Sequence, residues 1–201
     1  MIRVLLAEDQ AMVRGALAAL LSREPDIEVV AEVARGDEVV EAAQTAQPDV
    51  ALLDIEMPGG DGLTTAQALR KAVPTCRCVI LTTFGRSGYL RRAMESGAVG
   101  FLLKDAPAAE LAVALRRVMA GERVVDPDLA LSALSEGSNP LTPRERDVLS
   151  ASLFGASLAE IAAQLVLSEG TVRNHLSTAM QKLGAQNRME AARIAEQKGW
   201  L

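Results

Sequence analysis

An open parallel α/β sheet followed by a small all-helical domain is the architecture this 201-residue sequence predicts, and three observations predict it. Over residues 1–121, short apolar runs of strand length alternate with segments of helical spacing, the pattern of strand–helix–strand crossovers. Over residues 140–201 the strand-like runs stop and helix-start signals crowd together. Between them, residues 122–139 carry Asp126-Pro127, Gly137-Ser138 and the start of Asn139-Pro140, the punctuation of a linker.

Taken in order, Ile2-Arg-Val-Leu-Leu-Ala7 reads as a strand, and Ala11 to Ser22 as a helix through Val13, Leu17, Leu20 and Leu21. Residues 27–33 alternate as an edge strand would, and Gly36 to Ala46 reads as a second helix ending before Pro48. The strand 50–54, a helix around 63–72 and the strand 78–82 follow. A helix around Gly88–Ser96 stops at Gly97, the strand 100–103 comes next, and a last helix opens near Pro107 and closes at Gly121. Five such units make a five-stranded parallel sheet with helices on both faces. A flavodoxin-like strand order, 2-1-3-4-5, sets strands 1, 3 and 4 side by side.

Hydrophobic residues make up 49% of the chain and aromatics only 2%, so Leu, Val, Ala and Ile must fill the cores. No apolar run is long enough to span a bilayer. The first nine residues lack a signal-peptide layout because Glu8 and Asp9 follow too soon, so a cytoplasmic protein without a membrane partner is expected. Cys76 and Cys78 stand one residue apart, the wrong spacing for a zinc half-site. They read as reduced thiols, with Cys78 facing the core and Cys76 nearer the surface.

The chemistry gathers at strand ends, where open α/β sheets keep their ligand sites. The first strand ends on Glu8-Asp9 and the third on Asp54. Three carboxylates at one sheet edge need a cation or a raised pKa, and oxygen-only ligands in this number suit Mg²⁺. The fourth strand delivers the hydroxyl of Thr82, and the fifth the ammonium of Lys104. Acids, hydroxyl and lysine together describe a site that accepts, holds and senses a phosphoryl group.

Glu8-Asp9, Asp54 ahead of Met57-Pro58-x-x-Asp61-Gly62, Thr82 and Phe101-x-x-Lys104 resemble the receiver domain of bacterial two-component response regulators. The resemblance implies that Asp54 is the phosphoacceptor for a partner sensor histidine kinase. It implies Mg²⁺ held by Asp9, Asp54 and the Glu56 carbonyl, with Glu8 assisting through water. Thr82 and Lys104 would bind the phosphoryl oxygens, and Phe101 would be the aromatic that turns inward on activation.

In the C-terminal part, Thr142-Pro143-Arg144-Glu145 and Ser157-Leu-Ala-Glu160 are capping boxes, and Asn187-Arg-Met-Glu190 repeats the arrangement with Asn. Ser168 starts a helix that runs to Gly184. Ser157 to Leu183 therefore reads as helix, tight turn at Val166-Leu167-Ser168, helix: a helix-turn-helix within a four-helix domain. With Val172, Leu176, Met180 and Leu183 inward, Arg173, Asn174, Ser177 and Gln181 point outward. Arg suits guanine and Asn adenine in the major groove of double-stranded DNA. Lys182 and Arg188 would hold phosphates.

Charge alone would not reveal this role. Residues 1–139 hold 14 Lys/Arg and 20 Asp/Glu, a net −6, whereas residues 140–201 hold 7 and 6, a net +1. Leu141-Thr-Pro-Arg-Glu-Arg-Asp-Val-Leu149, Glu160-Ile-Ala-Ala-Gln-Leu165, Ser168-x-x-Thr171-Val-Arg173-x-His175 and Lys182-Leu-Gly184 resemble the LuxR-type domain of the NarL/FixJ response regulators. That resemblance implies base contacts from Arg173, Asn174 and Ser177. Ala159 departs from it, standing where many members place a lysine near the start of the scaffold helix.

The expected activity is phosphorylation-controlled dimerisation and promoter binding, with no enzymatic role. Two rivals are a phosphorylation-independent DNA-binding regulator and a Mg²⁺-dependent phosphatase using Asp54. The phosphatase pattern wants an aspartate where Glu56 stands. For a homodimer, Met12, Ala16 and Ala19 on the first helix and Val113, Arg117 and Ala120 on the last are the outward residues, and the competing surface is the fourth helix through the fifth, around Tyr89–Ala93 and Arg116.

Overall fold

A computed structural model describes the chain except residues 84–86, 106–107, 128, 132–138 and 154, and except the side chains of Ser87 and Ala108. The chain divides into an α/β unit in its N-terminal part and a helical unit in its C-terminal part. The order in the first unit is β1 (Ile2–Ala7), α1 (Ala11–Leu21), β2 (Ile27–Val33), α2 (Val39–Ala46, after a 3₁₀ turn Gly36–Glu38), β3 (Val50–Leu53), α3 (Gly62–Ala72), β4 (Arg77–Thr82), α4 (Ser87–Ser96), β5 (Gly100–Leu103), α5 (Ala108–Met119) and β6 (Val124–Val125). The opening of α5 at Pro107 lies outside the described residues.

All strand pairs are parallel, and the sheet runs β2-β1-β3-β4-β5-β6. The expected 2-1-3-4-5 order is present, but the sheet has six strands where five were expected. Val124 and Val125 lie in the stretch read as linker and pair with Gly100 and Phe101. Two β-branched residues suffice to cover the β5 edge, and a run that short carries no periodicity of its own.

The central strands form because nearly every side chain is apolar, as a sheet covered on both faces requires. Val4, Leu6, Leu52 and Val79 pack with Leu21 of α1 and Leu111, Leu115 and Val118 of α5 in one cluster. The alternate positions Leu5, Leu53, Ile80 and Phe101 are fully buried as well. Cys76, just outside β4, is slightly less buried than Cys78, but both thiols are buried, and burial pushes each pKa up to about 12.

In the helical unit, α6 (Pro143–Ser152), α7 (Leu158–Leu165), α8 (Glu169–Leu183) and α9 (Arg188–Gln197) surround one core. Both capping boxes form: Thr142 and Ser157 accept from the backbones of Glu145 and Glu160, whose carboxylates reach back to the cap N–H groups. At Asn187 the arrangement differs. The Glu190 carboxylate accepts from the N–H of Gln186, one residue before the cap. Ala191, Ala192 and Ala195 of α9 are core, as is Trp200, whereas Met189 is exposed. Within the stretch read as linker, residues 129–131 are helical and capped by Asp126, while 132–138 lie outside the described residues. Among the described residues no helix is long and apolar enough to cross a membrane.

Candidate functional site

Register builds the site. β1 and β3 pair with Ala7 opposite Leu53, so the next residues, Glu8 and Asp54, leave the sheet side by side. The Asp54 N–H donates to the Ala7 carbonyl at 2.9 Å, continuing the ladder one step past the strand. One Asp54 oxygen, Oδ1, accepts from the Ile55 N–H at 2.8 Å, which fixes the carboxylate's rotation. Glu8 is held at both ends: its carboxylate accepts from the Gln10 N–H at 3.2 Å and its carbonyl from Arg14 at 2.6 Å.

Lys104 enters from β5. Its N–H donates to the Thr82 carbonyl at 2.8 Å, tying together the ends of β4 and β5. Its ammonium lies 2.5 Å from Glu8 Oε2 and 2.9 Å from Asp54 Oδ2. Glu8 and Asp54 are only 2% and 5% exposed, so these are charges held in a largely dry pocket. Burial works against the Lys104 ammonium, yet the bonds to Glu8 and Asp54 outweigh it and hold its pKa above the ordinary lysine value.

Asp9, on the exposed side, completes the group. Carboxylate oxygens of Glu8, Asp9 and Asp54 all lie within 4.8 Å of one another. One ammonium against three carboxylates leaves net negative charge, and the donors are all oxygen. That is the set a hard divalent cation fits. The Glu56 side chain is exposed and stands outside the cluster, so its expected part rests on its backbone carbonyl alone. Thr82 is buried at the end of β4, and Phe101, opposite Ile80 in the ladder, is fully buried. The pocket thus brings together Glu8, Asp9, Asp54 and Lys104, with Thr82 joined through its backbone.

The helical unit presents a second surface. Ser168 caps α8 by accepting from the Thr171 N–H at 3.1 Å. Val172, Leu176 and Ala179 are buried, with Met180 and Leu183 half-buried beside them. This leaves Arg173, Asn174, Ser177 and Gln181 exposed along one side of the helix, while Arg188, at the start of α9, is half-buried. Lys182 is exposed as well, but its ammonium is bonded to both oxygens of Glu145, at 3.0 and 2.7 Å. Sequence reading missed this pair, because no helical periodicity relates residues 37 positions apart.

The outward surface of α1 and α5 is also apolar. Met12 is 85% exposed and Val113 52%, with Ala16, Ala19, Arg117 and Ala120 exposed around them. The two helices adjoin over a cavity of about 400 Å³ lined by Met12, Ala16, Leu17, Leu20 and Leu111 among others. Arg116 of α5 is committed elsewhere, bonded to Asp26 and Glu24, and it holds the Asp26 carboxyl below its ordinary range.

Two families match the chain: residues 4–116 match "Response regulator receiver domain", and residues 139–195 match "Bacterial regulatory proteins, luxR family". The chain is 45% identical over 201 residues to the uncharacterized transcriptional regulatory protein YvfU of Bacillus subtilis (strain 168), covering 100% of both chains. It is 46% identical over 200 residues to the transcriptional regulatory protein DesR of the same organism, covering 100% of this chain and 99% of that one. Among solved structures it is similar to the response regulator ChrA of a heme-sensing two-component system, with 36% identity, a TM-score of 0.59, and 100% and 98% of the two chains covered.

Proposed function

From the premise that the chain belongs to the LuxR-type (NarL/FixJ) two-component response regulators, we propose that Asp54 accepts a phosphoryl group from a sensor histidine kinase and thereby promotes dimerisation and promoter binding. The observation that carries the reading is the convergence of Glu8, Asp9, Asp54 and Lys104 at the carboxyl ends of β1, β3 and β5. In the transfer, an Asp54 oxygen forms the bond to phosphorus as the bond from phosphorus to the kinase imidazole breaks. Lys104 compensates negative charge at the receiving oxygen, and Thr82 stands at the neighbouring strand end to take a phosphoryl oxygen. Mg²⁺ held by Asp9, Asp54 and the Glu56 carbonyl, with Glu8 behind, would neutralise charge on the incoming phosphoryl group.

Arg173, Asn174, Ser177 and Gln181 are proposed to read base edges in double-stranded DNA, with Arg188 on the backbone. The near-neutral charge of residues 140–201 supports the dimer requirement, since one copy gathers little phosphate attraction. Two copies on half-sites about one helical turn apart add their contacts. The apolar α1–α5 surface is the proposed pairing face. The protein has no catalytic turnover in this reading, works in the cytoplasm where DNA lies, and comprises a receiver over 1–121, a linker over 122–139 and the DNA-binding domain over 140–201.

The test is covalent. Acetyl phosphate with Mg²⁺ should add one phosphoryl group to the wild-type chain and none to Asp54→Asn, which keeps the shape and loses the nucleophile. A variant that still gains the group would move the acceptor elsewhere. Steady release of phosphate from an aryl phosphate would favour the phosphatase instead.

A further inference from the structure

Glu145 is a buried carboxylate, 4% exposed, at the third position of α6. Its Oε2 accepts from the Thr142 N–H at 2.7 Å, closing the capping box, and from the Lys182 ammonium, also at 2.7 Å. Its Oε1 accepts from the same ammonium at 3.0 Å. Burial pushes the Glu145 pKa up, but Lys182 and the Thr142 cap together bring it below the ordinary glutamate value. Lys182 belongs to the last turn of α8, where a cation also complements the helix dipole.

Resting on the DNA-binding reading above, we infer that Lys182 is a positioning residue: its bond to Glu145 sets the angle at which α8 carries Arg173, Asn174 and Ser177, and it makes no phosphate contact. Two of the ammonium's three donors already serve Glu145, and a phosphate that drew it away would leave a buried carboxylate without its counter-charge, which is strongly unfavourable. Arg173 lies nine residues from this anchor, roughly 13 Å along the helix axis. A small rotation at Lys182 therefore displaces the reading side chains by a contact distance, enough to lose bidentate geometry.

The probe is a duplex enriched from a random-sequence library by the beryllofluoride-treated full chain, compared with an unselected duplex over a range of salt. Lys182→Met should lose at least about tenfold in affinity for the selected duplex. Its binding to the unselected one, and its salt slope, should stay at wild-type values. Glu145→Gln should act in the same direction. Glu145→Gln with Lys182→Met removes both charges, keeps the cap through glutamine, and should return to within about threefold of wild type.

A phosphate contact gives another pattern: Lys182→Met weakens both duplexes alike, flattens the salt slope by about one, and is not rescued by Glu145→Gln. That result overturns the assignment. Trp200, the sole tryptophan and buried in the helical unit, reports whether each variant is folded. If Lys182→Met unfolds, the double variant decides: a wild-type slope supports the assignment and a slope reduced by about one sinks it. A wild-type chain that enriches no sequence removes the DNA reading itself. A wild-type chain that does, with Lys182→Met indistinguishable from it, removes only this inference.

Discussion

A Cβ atom on Gly62 would fall deep inside the van der Waals envelope of the Asp54 backbone carbonyl oxygen. The first turn of α3 rests against the proposed acceptor residue, and the Gly62 N–H donates to the Ile55 carbonyl at 2.9 Å. Because the obstacle is backbone, no rotamer change relieves it. Gly62→Ala should therefore cost about 1–3 kcal/mol, as overpacking does, and should slow labelling by acetyl phosphate at least tenfold. Gly15, inside α1, has open space where a Cβ atom would stand, with nothing within 4 Å. Gly15→Ala should gain roughly 0.5–1 kcal/mol from helix propensity and label normally. Equal effects at both positions would contradict the contact.

Without a cation, Glu8, Asp9 and Asp54 repel one another across one ammonium. Asp9→Asn should consequently raise the melting temperature in EDTA, by about 2–4 °C for roughly 1 kcal/mol in a protein this size. Adding millimolar MgCl₂ should stabilise wild type and have much less effect on the variant. A variant that melts below wild type in EDTA, or responds equally to Mg²⁺, would dissociate Asp9 from the metal site.

Pairing through α1 and α5 predicts a dimer of the beryllofluoride-treated chain that Ala16→Arg abolishes, because the residue is exposed beside Met12 and the apolar cavity. Arg92→Glu, on α4, should leave it intact. Light scattering reads the mass. A dimer that survives Ala16→Arg and is lost in Arg92→Glu would transfer the interface to α4.

Val166 ends α7 in the left-handed region, φ 54°, and its side chain is 90% exposed. A β-branched residue there has poor backbone geometry and no compensating burial. Val166→Gly should stabilise the helical unit by up to about 1 kcal/mol, less the larger chain entropy of glycine when unfolded. Urea melts followed by Trp200 fluorescence check it, and a lowered midpoint would show that Val166 makes a stabilising contact.

Both thiols have folded pKa values of about 12 against an ordinary value of 9.0. The neutral form is the one favoured in the fold. Stability from this source is complete below pH 9 and is lost as pH rises from 9 toward 12. At pH 8 a disulfide reagent should find essentially no reactive thiol in the native chain and two after unfolding. Rapid native labelling of either cysteine would refute the burial.

The sequence alone determined the alternating strands and helices of residues 1–121, the strand-end places of Glu8, Asp9, Asp54 and Lys104, and the outward face of α8, because each follows from local pattern. Strands buried on both faces are continuous apolar runs, their ends mark where a parallel sheet places its ligands, and helical periodicity separates Val172 and Leu176 from Arg173 and Asn174. Tertiary structure alone decided what depends on distant partners. Val124–Val125 becomes a strand only because β5 offers an open edge. Cys76 is buried by the fold around it and not by its position in a strand. Lys182 reads as an outward cation on any helical projection, and only the packing of α8 against α6 brings it to Glu145. Local pattern fixes which face a side chain takes, but a charge chooses its partner in three dimensions, where residues far apart in sequence compete with solvent for it.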